Sequence, residues 1–218
     1  TKRIHDMTIT IIGTGNMAKG IASRAMAGGH HVNVLARDDS KAAALVSAVQ
    51  TFAVNGAQAQ VLAPDNPLDD VVVLAVPYTE VATLVQSYGD KLAGKVVVDI
   101  TNPVDFETFQ LIPDKGVAGA EEIAKLLPAS QVVKAFNTTF AGTLMSGIVD
   151  GKSLDVLIAG DDAAAKDVVS TLVGDGGLRP LDVGPLSNAR HLEGLGPMHM
   201  ALQEQLGSGW MSAIKFLA

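Results

Sequence analysis

The sequence has no cysteine, one tryptophan, two tyrosines and no long apolar run. Without cysteine there is no disulfide framework, no thiolate nucleophile and no cysteine-ligated zinc or iron–sulfur site, and the chain suits a reducing compartment. The longest apolar runs, such as Val71–Val76 and Val96–Val98, fall far short of the roughly 20 residues needed to span a bilayer. No transmembrane helix and no membrane partner are expected. Basic residues are in deficit, with 16 Lys and Arg against 23 Asp and Glu and a formal charge of −7. That balance argues against a surface built for nucleic acid or anionic lipid. The opening Thr1–Asp6 carries positive charge but no apolar stretch or small-residue cleavage site, so it is not read as a secretory signal. The cytoplasm is the expected compartment.

What is present is a chain of 218 residues, 48% of them hydrophobic, enough for one large domain or one domain with a small appendage. Its many Gly, Ala and Val residues suit a doubly wound fold, where small side chains let helices approach a parallel sheet. Thr8–Ile12 reads as a strand that ends on Gly13, Asn16–Ala27 favours a helix, Gly28-Gly29 closes it, and Val32–Ala36 is a second strand. That is a βαβ unit. Ser40 is the expected cap of a helix over Ala42–Val49, followed by a short strand around Ala57–Val61 and a turn at Pro64–Pro67.

The alternation continues with buried strands at Val71–Val76, Lys95–Ile100 and Gln131–Phe136, and helices over Thr79–Tyr88 and Gly119–Leu127. A loop is read over 104–118 between the last two of these strands. The final third reads as a strand at Leu154–Ala159, a helix capped by Asp161 or Asp162, and a strand at Leu178–Val183. Ser187 then caps a helical region expected to break at Gly194, Gly196 and Pro197, and again at Gly207–Gly209. The fold class is therefore α/β: a doubly wound, mostly parallel Rossmann sheet over residues 1–150, with a small α/β C-terminal appendage over residues 151–218 packed on it.

Gly13-x-Gly15-x-x-Ala18 between a strand and a helix is a dinucleotide fingerprint. Gly13 allows the tight turn, Gly15 leaves room for a pyrophosphate, and Ala18 permits close helix–strand packing; the helix N-terminus then faces the phosphates. At the end of the second strand, where an NAD enzyme offers a carboxylate, the chain has Ala36-Arg37 with Lys41 four residues later. Two cations there favour the 2′-phosphate of NADP; pairing with Asp38 and Asp39 is the structural alternative and leaves NAD open.

Polar exits at Val76-Pro77-Tyr78, Thr101-Asn102 and Asn137-Thr138-Thr139 emerge on the same edge as the glycine loop and should form a cleft that orients a nicotinamide. Acid–base groups are scarce in them. Of the five histidines, His5 is near the terminus and His30-His31 sit on a turn away from the cleft. His191 and His199, with Glu193 and Glu204, match no zincin spacing, so no metal site is expected. Met198, Met200 and Met211 either fill the core or line a flat ligand.

These residues resemble the coenzyme F(420):NADP oxidoreductase family along the length of the chain. Gly13–Gly20 looks like its nucleotide loop, Arg37 with Lys41 like its 2′-phosphate pair, and Gly160-Asp161-Asp162 like its later strand-to-helix junction. The most specific stretch is Gly177–Arg190, together with Ile214–Leu217. The resemblance implies a small Rossmann domain, a homodimer, and direct hydride exchange between NADP(H) and the deazaflavin coenzyme F(420). It further implies that Thr14, Asn16 and Met17 hold the pyrophosphate and ribose, that Val76–Tyr78 with Thr101-Asn102 hold the nicotinamide half, and that Asn137–Ala141 mark where the two rings meet. Asn137, Thr138 and Thr139 are ring-positioning candidates, and no catalytic acid is assigned, because the coenzymes carry the chemistry.

Lys134–Thr138 looks less like the archaeal deazaflavin enzymes than like the wider superfamily, which includes the NADPH- and flavin-using reductase domain of six-transmembrane ferric reductases. FAD or FMN, or a ferric chelate, is thus the alternative acceptor. A non-catalytic NADPH-sensing module is the alternative from another class. Asn16-Met17-Ala18 is also similar to pyrroline-5-carboxylate reductase, but strands are read here where that enzyme has a wholly helical dimerisation domain.

Overall fold

The computed structural model describes residues 6–105, 107, 108, 112 and 116–217. Residues 1–5 of the opening segment, with His5, and part of the loop read over 104–118 lie outside them. The first six strands are β1 (Thr8–Ile12), β2 (His31–Leu35), β3 (Ala59–Val61), β4 (Val71–Leu74), β5 (Val96–Asp99) and β6 (Gln131–Lys134). They pair in parallel in the order β3-β2-β1-β4-β5-β6, the Rossmann arrangement with its switch point between β1 and β4. Strand β4 shows why a continuous apolar run was required. Val71 and Val73 pack into the core on one face, while Val72 and Leu74 pack into the core on the other.

The helices follow from the same two-sided burial. Helices α1 (Asn16–Ala27) and α2 (Asp39–Gln50) contribute to the first core, and α3 (Tyr78–Leu92) and α4 (Gly119–Leu126) to the second. Helix α2 is capped by Asp38 rather than Ser40: the Asp38 carboxylate accepts from the backbone N–H groups of Ser40 and Lys41 and from the Ser40 hydroxyl. An aspartate at the cap satisfies orphan amides of the first turn and adds a favourable charge there, which leaves Ser40 inside the helix.

After β6 come α5 (Ala141–Ser146) and a hairpin of β7 (Ile148–Val149) and β8 (Lys152–Ser153), none of which stood out in the sequence. The 150/151 boundary falls in the turn of that hairpin. Beyond it, β9 (Asp155–Gly160) joins the edge of the main sheet antiparallel to β6, and β10 (Arg179–Asp182) pairs in parallel with β9. Residues 151–218 therefore contribute strands to one eight-stranded sheet. Between those strands α6 (Ala163–Asp175) is capped by Asp162, whose carboxylate accepts from Ala165 N–H.

A 3₁₀ turn (Leu186–Asn188) leads into α7 (Ala189–Ala201), then α8 (Gln203–Leu206). Ser187 lies inside the turn and caps nothing, and α7 runs through Gly194, Gly196 and Pro197 without the expected break. Glycine costs a helix about 1 kcal/mol and proline about 3, and tertiary contact outweighs that cost here. Leu192, Glu193, Gly196, Pro197 and His199 are buried. A Cβ on Gly196 would stand 2.8 Å from Asn102 Oδ1 and 2.9 Å from the Asn137 carbonyl. Glycine at 196 lets the helix approach the strand exits this closely.

A buried ionic cluster docks α7. Lys134 Nζ donates to Asp99 Oδ2 at 2.8 Å, to Glu193 Oε1 at 2.9 Å and to the Thr101 carbonyl at 2.6 Å. All three charged side chains are essentially inaccessible to solvent. One cation against two carboxylates leaves a negative excess. It is offset by the N-terminus of α4, whose Gly119 and Ala120 N–H groups donate to Glu193 at 2.8 and 3.0 Å, and by Thr101 N–H on Asp99. At the far end, Asp155 is buried beneath Arg179, Lys215 and the Phe216 N–H. This clamps the irregular segment that ends the chain. Burial pushes the Asp155 carboxyl up, but the three donors outweigh it and hold it at about 2.

Two stability outcomes follow from these charges. Lys134→Met should cost about 3–5 kcal/mol, because it leaves Asp99 and Glu193 buried without their cation; a urea midpoint equal to the wild type would refute the account. The depressed Asp155 pKa contributes about 2 kcal/mol above the unfolded value of 3.8, and this is lost as pH falls through about 4 towards 2. Urea titrations across that range should show a flatter acid dependence for Asp155→Asn than for the wild type.

Candidate functional site

The chain turns at Gly13 with φ +122°, and a Cβ there would lie 2.2 Å from the Ala75 carbonyl. Only glycine fits, because the loop after β1 passes directly over the end of β4. Gly15 caps α1 through its backbone, the first turn of α1 holds no acidic residue, and the space where a Cβ of Gly15 would stand is open. The helix thus presents unpaired N–H groups, a positive dipole end and free volume together, which is what a pyrophosphate needs.

Beside this loop lies a cleft of about 290 Å³. Six of the sequence-predicted residues line it: Gly13, Thr14, Ala36, Arg37, Lys41 and Val76. Its outer wall is a stripe of α3, formed by Glu80, Thr83, Leu84 and Ser87, which the sequence reading missed. The 80, 83, 84, 87 spacing was the available signal, since it places one face of a helix opposite the glycine loop. Asp38 also lines the cleft; its Oδ1 caps α2, and the Ser40 and Lys41 hydrogen bonds hold the carboxyl below the usual range. Arg37 is 91% exposed, with Nη1 3.6 Å from Glu80, and Lys41 Nζ is 4.0 Å from Asp38. Such exposed pairs are weak and exchangeable.

A second group of predicted residues gathers at the ends of β5 and β6. Asn102 and Asn137 form a reciprocal pair: Asn137 Nδ2 donates to Asn102 Oδ1 at 2.9 Å, and Asn102 Nδ2 donates to the Asn137 carbonyl at 2.9 Å. Asn137 also donates to the Leu192 carbonyl on α7. Phe136, buried and at φ +64°, makes the sharp turn that lets Thr139 donate back to its carbonyl from both N–H and hydroxyl. Such a conformation costs about 1–3 kcal/mol and is held by the surrounding contacts. Thr101 Oγ1 and Asn137 Oδ1 are buried without a hydrogen-bond partner in the protein.

Gly15 caps α1, and Asn16 and Met17 begin it. Pro77 and Tyr78 open α3, but the Tyr78 hydroxyl is turned to α4, donating to Glu122 Oε2 at 2.6 Å. Burial, with Glu122, Glu193 and Asp99 nearby, pushes this phenol above its ordinary range, so it stays protonated. Ala141 begins α5, where it packs on Gly20 of α1.

The described histidines lie apart from one another or in other contacts. Among the described residues no group of three or more His, Cys, Asp or Glu could hold an ion. Glu193 belongs to the Lys134 cluster. His199 stacks on Phe140 at 4.3 Å, lies 3.4 Å from the Thr138 carbonyl and 2.8 Å from the Ser212 hydroxyl, and is held below its ordinary pKa by burial. His30 is buried, with Nε2 3.3 Å from Asp175. No described helix is long and apolar enough to cross a membrane.

This geometry has close counterparts among known proteins. The family model described as NADP oxidoreductase, coenzyme F(420)-dependent, matches residues 8–103. F420-dependent NADP reductase of Methanocaldococcus jannaschii is 30% identical over 208 residues, covering 90% of this chain and 92% of the relative. Metalloreductase STEAP3 of Rattus norvegicus is 35% identical over 187 residues, 86% of this chain; the chain spans only 36% of that protein's length. A crystal structure from an Arthrobacter species, described as a candidate F420-dependent NADP-reductase, superposes with a TM-score of 0.81 at 29% identity, covering 97% of this chain and all of that one. On this likeness, which runs through both strand groups and the C-terminal helices, the chain belongs to the family of coenzyme F(420)-dependent NADP oxidoreductases.

Proposed function

We propose that the protein transfers a hydride between NADPH and the deazaflavin coenzyme F(420). The observation that carries the donor is the state of the second strand's exit. Asp38, the acid at that exit, has Oδ1 taken up by the α2 cap and Oδ2 4.0 Å from Lys41, while Arg37 and Lys41 line the cleft in weak, exposed pairs. A 2′-phosphate can take over both cations at little cost. The acceptor is supported by the whole-length likeness to two archaeal proteins named F420-dependent NADP reductases, the second being that of Methanothermobacter thermautotrophicus at 31% identity over 211 residues.

In this reading Gly13, Thr14, Gly15, Asn16 and Met17 hold the pyrophosphate and ribose, Ala36 the adenosine, and Arg37 and Lys41 the 2′-phosphate. Val76, Pro77, Tyr78, Thr101 and Asn102 border the nicotinamide half, with Asn137, Thr138, Thr139 and Ala141 at the meeting place of the rings. When bound, NADPH supplies a hydride from C4 of its nicotinamide to C5 of the deazaflavin, and one proton from solvent completes the reduced product. The chain's part is to fix two planes and exclude water between them. Its amide pair, locked to α7, is a rigid floor for that purpose. No side chain has to gain or lose a proton. The partners are small redox coenzymes and, for the exposed Met198, Leu202 and Leu206, a second copy of the chain.

Anaerobic mixing with NADPH and oxidised coenzyme F(420) should bleach the deazaflavin absorbance, and NADH should do so much more slowly. An untouched deazaflavin alongside reduction of FMN, FAD or a ferric chelate would move the protein to the metalloreductase side of its relatives; nucleotide binding without any reduction would make it a sensor. Arg37→Glu should weaken NADPH binding by roughly 10- to 100-fold, in line with the loss of a charge-assisted contact, and change NADH binding less than about threefold. An equal loss for both nucleotides would show that Arg37 does not discriminate. Gly15→Val should fill the open space above α1 and abolish binding of both in a variant that still folds.

A further inference from the structure

We propose that Trp210, the single tryptophan of the chain, is the stacking platform for the tricyclic ring of the acceptor, the ring system that deazaflavins and flavins share. The inference rests on the hydride-transfer reading above and names the residue that would hold the second substrate. Trp210 has φ +66°, in a turn that also contains Gly207 and Gly209 at +58° each. A bulky side chain in that region is strained, and the indole is not hidden in return, since the residue is 48% exposed. Burial gain therefore does not account for the strain. What the turn achieves is to stand the indole edge-on against Phe140, with ring centroids 5.1 Å apart and planes at 80°.

Phe140 is itself stacked on His199, 4.3 Å away. The three rings form a row fixed from behind. His199 bonds to Ser212, and Gln203 donates to both the Ser212 hydroxyl and the His199 carbonyl. The Met211 N–H closes the turn on the Ser208 carbonyl. A side chain in so constrained a frame loses little freedom when a ligand stacks on it.

The row stands where a second ring is needed. Phe140 directly follows Asn137-Thr138-Thr139, and His199 touches the Thr138 carbonyl, so the row is anchored at the carboxyl end of β6 on the same sheet edge as the glycine loop. Met211, 45% exposed, approaches the position where Gly142 would carry a Cβ, 2.9 Å from its Sδ. An exposed indole, with an exposed thioether following it in the chain, supplies apolar, polarisable groups. It suits a flat conjugated ring and offers nothing to a hydrated ferric chelate.

The test compares wild type with Trp210→Leu and Trp210→Phe, each saturated with NADP⁺ and titrated with coenzyme F(420) or with FMN, reading the quenching of the ligand's own fluorescence. Trp210→Leu should weaken binding of the preferred ring at least tenfold, Trp210→Phe less than threefold, and neither should shift NADPH affinity more than twofold. The ring that binds tighter in the wild type identifies which source the platform serves. Unchanged ring binding in Trp210→Leu overturns the platform even if the enzyme reduces deazaflavin. Platform-dependent binding without turnover leaves the platform standing and overturns the reaction instead. Failure of both rings to bind the wild-type NADP⁺ complex overturns the platform, as does a Trp210→Leu protein whose sedimentation changes while ring binding does not, which would make the face a contact between copies of the chain.

Discussion

The Lys134 ammonium is the charge on which the candidate site's architecture depends. It sits at the last residue of β6, opposite Asp99 at the last residue of β5, where the two parallel strands end and the chain must change direction. By bonding Asp99, Glu193 and the Thr101 carbonyl together, it ties the two strand ends to α7, and through Glu193 to the N-terminus of α4. Four segments distant in sequence are thereby fixed by one cation. The Asn102–Asn137 pair lies immediately beyond, held from the same helix through Leu192. A buried ionic cluster adds little net stability over an apolar one of equal size. Its value here is directional, because ionic hydrogen bonds set the register of α7 against the sheet more narrowly than apolar packing does.

Much of this fold was legible. Buried runs such as Val71-Val72-Val73-Leu74, each followed by a polar exit, dictated a parallel sheet covered on both faces, and the glycine spacing marked the tight turn after β1. The cluster was legible too, in a form easily passed over: one acid and one base terminate two consecutive apolar strands, and residues at equivalent heights in adjacent parallel strands meet. Glu193 was not legible, because its partners are 59 and more residues away and its own neighbourhood of glycines and a proline suggested a broken helix. Local propensity gave the wrong expectation at Gly196 for the same reason. The glycine that weakens the helix in isolation is the one that admits it to Asn102 and Asn137.

The cleft illustrates a different limit. Arg37 and Lys41 were visible from the fingerprint's spacing, and so were the acids beside them. Which of those acids remained available to a ribose depended on the capping geometry of α2, where Asp38 rather than Ser40 took the orphan amides. That choice is a matter of one residue's backbone conformation. It nevertheless decides how much of the Asp38 carboxylate faces the cleft beside Arg37 and Lys41.

The two halves of the site also differ in whether the matched family model spans them. The matched family model ends at residue 103, just past Thr101-Asn102, and so spans the glycine loop, the cleft with its cations and the α3 stripe. The turn at Phe136, the Asn137–Thr139 exit, Phe140 and the 207–212 segment all lie beyond it. In the proposed reaction the first half serves the hydride donor, whose binding needs are the same whatever accepts the hydride. The second half serves the acceptor, where deazaflavin, flavin and metal impose different demands. On the proposed reaction, a change of acceptor would call for altered residues around one strand exit and one C-terminal turn, with the donor half kept. The chain's likeness runs both to proteins named F420-dependent NADP reductases and to a part of a metalloreductase that this chain matches over 36% of its length.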